Sequence, residues 1–338
     1  MRYLIIAAIG VLAIFAFLLQ RGKGAKVDRV TQPASLTVCS FNIQFLGQSK
    51  VRDDPALARV IEDCDIAVIQ ELVAPPYAGN FPDGKSYKPD VEAAEFFAAM
   101  SALGFAYVLF EEDTGSGAKI YLNSSATEWW VAFYRSDKVG LAADLPPGFL
   151  AADRSDHADY ERVPYAFAFR TSAGVLDFVL ISLHLRPGAG KKPRARRQHQ
   201  LAAVARWIGR HAAAERDFII LGDMNIENAR ELQQVTPSGF ISLNDECRPT
   251  NTNVRGPKPY DHVMFNPEYT GEIDRQYDLR VIDLIAVLRS AWRGPGPYPG
   301  DPYVHNEFRK YYSDHHPVVF ELDVPGRDDD GVVRSAGK

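Results

Sequence analysis

Carboxylates, amides and imidazoles recur at the ends of short apolar runs in this 338-residue chain. Ile66-Ala67-Val68-Ile69 leads into Gln70-Glu71. A carboxylate at a strand end is a hard oxygen ligand held at a fixed point, as Mg²⁺ requires. Asn42 closes the first such run, where its amide oxygen would serve as a neutral ligand or form an Asx turn. After Phe218–Leu221 comes Gly222-Asp223-Met224-Asn225; the glycine permits a sharp turn, and Asp223 and Asn225 then face one cavity as charged ligand and neutral donor. His184 ends a further apolar strand, just before a Pro-Gly turn.

A second histidine position lies in Ser313-Asp314-His315-His316-Pro317. Neighbouring side chains on an extended chain point to opposite sides, so only one of His315 and His316 can enter a given site. Asp314 can work beside His315 only if the backbone turns there. His315 would then take a proton from water while Asp314 binds metal. An imidazole base needs an acid to fix its tautomer, and Asp261, directly before His262–Phe265, is the candidate. Singly, each of these residues has an ordinary role as surface carboxylate, turn residue or core histidine. Together they supply hard-metal ligands, two imidazoles and extra carboxylates. The chain has no nucleophilic Ser or Cys motif, P-loop, dinucleotide glycine fingerprint or HExxH, and its three cysteines lack zinc-type spacing. Metal-assisted attack of water on a phosphate ester is the reaction these parts fit.

The elements that must position them alternate between strands and helices. Strands are expected at Leu36–Cys39, Asp65–Ile69, Trp129–Tyr134, Ala166–Arg170, Val175–Leu183, Phe218–Leu221, His262–Phe265 and Val318–Asp323. Helices are expected at Pro55–Asp63, Val91–Leu103 and Arg196–Ala214. Hairpin-type and crossover-type connections both occur, which predicts a mixed α/β domain with helices outside, spanning residues 35–325.

Tyr3–Leu19 is uncharged and proline-free after Arg2, which predicts a single-pass N-terminal membrane anchor or uncleaved signal over residues 1–20, with the domain exported. Residues 21–34 read as a polar linker and 326–338 as a disordered tail. Lys+Arg is 38 against Asp+Glu 43, a net charge of −5. Without Arg2, Arg21, Lys23 and Lys26 the remainder carries 34 basic against 43 acidic residues. Bulk positive charge therefore does not hold a polyanion here; metal ions or a local basic patch must. With three cysteines (Cys39, Cys64, Cys247), a fully paired disulfide framework is excluded.

The ordered series Ser40-Phe41-Asn42, Gln70-Glu71, Leu183-His184, Gly222–Asn225, Tyr260-Asp261 and Ser313–Pro317 resembles the endonuclease/exonuclease/phosphatase superfamily over nearly the whole chain after residue 35. Phe41–Gly47, Asp65–Glu71 and Trp130–Val139 are most similar to deoxyribonuclease I. The resemblance implies a four-layer α/β sandwich, two packed mixed β-sheets flanked by helices. It implies Mg²⁺ or Mn²⁺ at Asn42 and Glu71, with Asp223, Asn225 and Asp314 on the second metal or phosphate side. His315, oriented by Asp261, would activate water; His184, oriented by Glu128, would protonate the leaving oxygen. Arg162 matches a phosphate-contacting arginine.

There are departures. Val73, Ala126 and Asn228 replace, respectively, a minor-groove arginine, a stacking tyrosine and a disulfide cysteine of deoxyribonuclease I. Instead, Lys191, Lys192, Arg194, Arg196 and Arg197 cluster after His184, as a phosphate grip or as a solvated helix start. The reading is a membrane-anchored or exported nuclease acting on DNA or RNA, with a lipid headgroup or small phosphoester as the alternative substrate. No protein partner is inferred.

Overall fold

Side-chain alternation along the strands produces the layers. In β1 (Ser35–Leu46), Cys39, Phe41 and Ile43 enter one apolar core while Leu36 and Val38 enter another. The same division holds in β2 (Ile66–Leu72), with Ala67 and Ile69 on one side and Ile66 and Val68 on the other. The computed structural model describes residues 34–115, 127–151, 158–273, 279–324 and 328, all within the unit Gln32–Lys338.

After β2 the small strands β3 (Gly79–Asn80) and β4 (Ser86–Tyr87) pair with each other. They are followed by β5 (Ala106–Leu109), β6 (Trp129–Tyr134), β7 (Val139–Leu141), β8 (Gly148–Phe149), β9 (Tyr165–Thr171) and β10 (Asp177–His184). Next come β11 (Phe218–Asp223), β12 (Ile241–Ser242), β13 (Asp261–Phe265), β14 (Arg280–Val281) and β15 (Val318–Asp323). The first sheet runs β14-β15-β1-β2-β6-β5, and the second β12-β13-β11-β10-β9-β7 with β8 beside β9. In each sheet a parallel pair, β1–β2 or β10–β11, sits among antiparallel neighbours.

Helices α1 (Asp54–Val60) and α2 (Val91–Ala102) cover the first sheet's outer face, contributing Leu57, Phe96 and Met100 to its core. Helix α3 (Lys191–His211) and α4 (Ala229–Val235) cover the second, through Leu201, Val204, Trp207 and Leu232. The inner faces meet in a third core of Val68, Trp130, Phe167, Leu180, Leu221 and Phe320. Each fully buried aliphatic or aromatic side chain contributes roughly 1.5–3 kcal/mol, so the strand ends project from a rigid frame. This is the expected four-layer sandwich.

Three details differ from expectation, and one settles what cysteine parity left open. Helix α3 begins five residues earlier than its periodicity suggests, so Lys191, Lys192 and Arg194 lie in or next to its first turn. Gly222 does not follow its strand but lies inside β11; a Cβ there would meet the Leu183 carbonyl oxygen, so glycine permits close approach to β10. Cys39 and Cys64 form a disulfide and Cys247 is free. Lastly, no helix among the described residues is long and apolar enough to cross a membrane; α3, the longest of them, opens on five cations. That overturns the expected membrane location. The run Tyr3–Leu19, the linker and, apart from Asp328, the tail lie outside the described residues, as does Ala126.

Candidate active site

Strand register gathers the polar residues at one end of both sheets. His184 pairs with Asp223 across β10–β11, and Asp223 pairs with Asp261 across β11–β13. In the first sheet Asn42 pairs with Gln70, and both ladders of β2 shift register just beyond. Gln44, Phe45 and Glu71 there take left-handed backbone, with φ of 57°, 53° and 62°. Strict alternation would send Glu71 to the helix side with Ala67 and Ile69. The bulge re-aims it, as bulges beside active sites do, and its carboxylate meets Asn42.

Asp223 Oδ2 is the hub. Asn42 Nδ2 donates to it at 3.1 Å and to Glu71 Oε1 at 3.0 Å. His184 Nε2 lies 3.4 Å from the same Oδ2 and 4.0 Å from Glu71 Oε1, while His315 Nε2 lies 3.6 Å from Oδ2. Each imidazole is anchored through its other nitrogen: His184 Nδ1 donates to Glu128 Oε1 at 2.9 Å, and His315 Nδ1 to Asp261 Oδ2 at 2.8 Å. A carboxylate accepts, so both rings carry a proton on Nδ1 and turn Nε2 toward Asp223. Glu128 also accepts the Glu71 amide at 2.7 Å and pairs with Arg162 Nε at 3.0 Å.

Burial and the Arg162 cation oppose protonation of His184, but Glu128 and Asp223 outweigh them and hold its pKa above the ordinary value. Burial likewise opposes protonation of His315, yet Asp261 and Asp223 hold it well above that value. Burial, with Asp261 nearby, pushes Asp223 up to about 6 against the pull of the two histidines. Burial works against ionisation of Glu128 too, but His184 and Arg162 keep it below the usual carboxylate range.

Glu71, His184 and Asp223 offer ligand atoms within 4.8 Å of one another, as do Asp223, Asp261 and His315. Two carboxylates on one buried polar point suit a divalent cation, whose charge would favour the Asp223 anion that burial disfavours. Asn42 turns its NH₂ to the carboxylates and its oxygen to the Gln44 amide, 3.0 Å away, rather than offering that oxygen as a ligand. Asn225 donates its backbone amide to Asp223 Oδ1 and its side-chain NH₂ to the Leu185 carbonyl. Asp314 lies on a bend as the turn requirement demanded, but its carboxylate pairs with Arg309 at 3.0 Å and joins neither group.

The basic run divides. Lys191 and Lys192 are exposed, Arg194 donates to Gln234, and Arg196 pairs with Glu161. Arg197 is fully buried, bound to Glu231 and to the carbonyls of Arg186 and Gly188. Val73 is buried, and Asn228 caps α4 by accepting the Glu231 amide.

Three supports were missed in the sequence because their types carry no chemistry of their own. Thr250 Oγ1 donates to Asp261 Oδ2 at 2.6 Å. Ser313 Oγ donates to the Asn42 carbonyl and accepts the His315 amide. Gln44 Oε1 accepts the Asp314 amide. The small polar string Thr250-Asn251-Thr252 before Tyr260-Asp261 was the available signal.

The model of the Endonuclease/Exonuclease/phosphatase family matches residues 39–315. The chain is 25% identical over 248 residues to Deoxyribonuclease-1-like 1 of Homo sapiens, covering 68% of this chain and 71% of that protein. To the Cricetulus griseus protein of the same name it is 24% identical over 297 residues, covering 84% and 83%. Among solved structures, a humanized D. rerio TDP2 superposes with TM-score 0.52 at 14% identity, over 86% of this chain and all of that one (100%). A functionally unknown conserved protein from Enterococcus faecalis V583 gives TM-score 0.52 at 15% identity over the same shares, 86% and 100%. These structural likenesses concern the fold, whereas the family match spans every strand end that carries the polar cluster. The chain therefore belongs to the endonuclease/exonuclease/phosphatase family and is a hydrolase of phosphoester bonds.

Proposed function

We propose that this protein is a divalent-metal-dependent nuclease that hydrolyses DNA by attack of water on a phosphodiester. The observation that carries this reading is the pair of oppositely anchored imidazoles, His184 on Glu128 and His315 on Asp261, both directed at Asp223 Oδ2. The DNA assignment draws on the relatives called Deoxyribonuclease-1-like 1 and on a fold neighbour, D. rerio TDP2 complexed with single strand DNA product (TM-score 0.50, 15% identity).

In the form protonated on Nδ1 alone, which a divalent cation beside Asp223 would favour, His315 Nε2 takes the proton of the attacking water, and Asp261 stabilises the imidazolium that forms. As the bond from phosphorus to the leaving oxygen breaks, His184, charged as the imidazolium that Glu128 and Asp223 favour, delivers its Nε2 proton to that oxygen. Proton transfers of this kind contribute about 10²–10⁴-fold in rate. Arg162 keeps a buried Nη1 without a hydrogen-bond partner among the described residues, a donor for a phosphate oxygen. Asn225, beside Asp223, and the exposed Lys191 and Lys192 at the start of α3 would help hold the polyanion. Mg²⁺ or Mn²⁺ held by Glu71 and Asp223 would neutralise charge growing on the phosphate oxygens.

The test offers the purified protein plasmid DNA, single-stranded DNA, RNA, a phospholipid and a small phosphomonoester, each with Mg²⁺, Mn²⁺ or EDTA. The expected result is DNA cleavage with metal and none with EDTA. Intact nucleic acids beside hydrolysis of the lipid or the monoester would overturn the nuclease reading.

A further inference from the structure

The turn that follows Asn42 is built on a buried charge pair. Arg52, its side chain almost fully buried, donates to the carbonyls of Ile43 and Gln44 and pairs through Nε with Glu92 at 2.7 Å. Glu92 Oε2 in turn accepts the amides of Gly47 at 2.9 Å and Ser49 at 2.5 Å. This clamp holds Gln44 and Phe45 in left-handed backbone, a region that a bulky side chain rarely enters. Its outer product is the Phe45 amide, which donates to Glu71 Oε2 at 3.0 Å.

A backbone amide can come from any residue, and asparagine or glycine would adopt this conformation at lower cost. What needs a reason is the benzyl group. Ile43 and Leu46 on either side are fully buried, while Phe45, the residue whose amide holds Glu71, is 39% exposed. Strain at functional sites persists where the surroundings over-determine it, and here they do so to keep an aromatic ring in water beside the reacting end of both sheets.

The charge distribution says what such a ring would add. Arg197 is buried on Glu231, and Arg186 and Arg196 both pair with Glu161. Of the basic run at the start of α3, this leaves chiefly the exposed Lys191 and Lys192 to grip a phosphate backbone, and stacking on unpaired bases is a further source of affinity for a single strand. In a duplex, base faces are covered by their neighbours, so an exposed ring meets a free face only where bases are unpaired. We propose that Phe45 stacks on an unpaired nucleobase beside the scissile phosphate, so that the enzyme acts on single-stranded or frayed DNA in preference to intact duplex. This rests on the nuclease reading above and names its substrate class.

The test compares the full-length protein with Phe45→Ala, Phe45→Leu and Phe45→Tyr on two labelled oligomers of equal length with Mg²⁺. One is oligothymidylate; the other carries the same sugar-phosphate backbone without bases. Thermal unfolding of each variant is recorded alongside. Base stacking on an aromatic side chain implies a loss on the order of 5–150-fold on the base-bearing strand. The expected result is a wild-type to Phe45→Ala ratio of kcat/KM at least about fivefold larger on oligothymidylate than on the base-less oligomer, carried mainly by KM. Phe45→Leu should behave like alanine and Phe45→Tyr like wild type. Equal losses on the two oligomers, or no loss, would overturn stacking while leaving the nuclease reading intact. Failure of the wild type to cut either oligomer while it cuts plasmid DNA would overturn the single-strand preference, and failure on all three would overturn the nuclease reading as well.

Discussion

His184 and His315 meet on a single atom: their Nε2 nitrogens stand 3.4 and 3.6 Å from Oδ2 of Asp223. One imidazole comes from the end of β10 and the other from the loop before β15, in different sheets. Under the proposed mechanism this shared neighbour would bring both within reach of one phosphate, His315 as base and His184 as acid.

Removal of either imidazole should therefore be severe and removal of both less than multiplicative. His184→Ala and His315→Ala are each expected to lower kcat by about 10²–10⁴-fold. The double variant should fall short of the product of the two, because groups that act as a unit are not additive. Steady-state kinetics on one DNA substrate reads all three.

Glu128 holds three donors: His184 Nδ1, Arg162 Nε and the Glu71 amide. Glu128→Gln replaces one accepting oxygen by an NH₂, so at least one buried donor faces another donor. A loss of about 1–3 kcal/mol in stability is expected, together with a fall in kcat of about 100-fold, set by disorientation of His184. Thermal unfolding and kcat measured on one preparation check the pair of effects.

Asp54, at the start of α1 and 1% exposed, faces Glu92, Arg52, Glu95 and Asp53. Burial first, then Glu92, push its pKa up to about 8, against the pull of Arg52. The folded chain thus keeps this proton to about pH 8 whereas the unfolded chain releases it near 4, so stability falls as pH rises between those values, by about 1.4 kcal/mol per unit. Asp54→Asn should remove that slope, with an advantage over wild type that grows to several kcal/mol from pH 5 to pH 8. Denaturation at stepped pH is the measurement, and parallel curves would refute the assignment.

The Cys39–Cys64 disulfide, Cα atoms 6.0 Å apart and 25 residues apart in sequence, ties β1 to the segment before β2. A ring of this length constrains the unfolded chain by roughly 3–4 kcal/mol. Cys39→Ser with Cys64→Ser should lower Tm by several degrees. Reductant should bring the wild type toward the variant and leave the variant unmoved.

What was legible in the sequence follows from where its information is local. Apolar runs ending in Glu71, His184 and Asp223 marked the strand ends directly, and the layers followed from alternation. Glu71 shows the limit: its strand is readable, but the left-handed residue that re-aims it is Glu71 itself, its amide held by Glu128, 57 residues away in sequence. Arg197 reads as one more cation in a basic run, yet its partner Glu231 lies on another helix. Asp314 reads as a ligand beside His315, but Arg309 on the preceding helical turn takes its carboxylate. Cysteine parity allowed one pair at most and did not say which.

The central claim is that the two anchored histidines carry metal-dependent phosphodiester hydrolysis. Single-turnover cleavage of a labelled single-stranded DNA by wild type, His184→Ala and His315→Ala, with Mg²⁺ and with EDTA, tests it most directly. The account predicts rapid cleavage by the wild type in Mg²⁺, a rate lower by about 10²–10⁴-fold in each variant, and no cleavage in EDTA. Cleavage at the wild-type rate by either variant, or in EDTA, would contradict it.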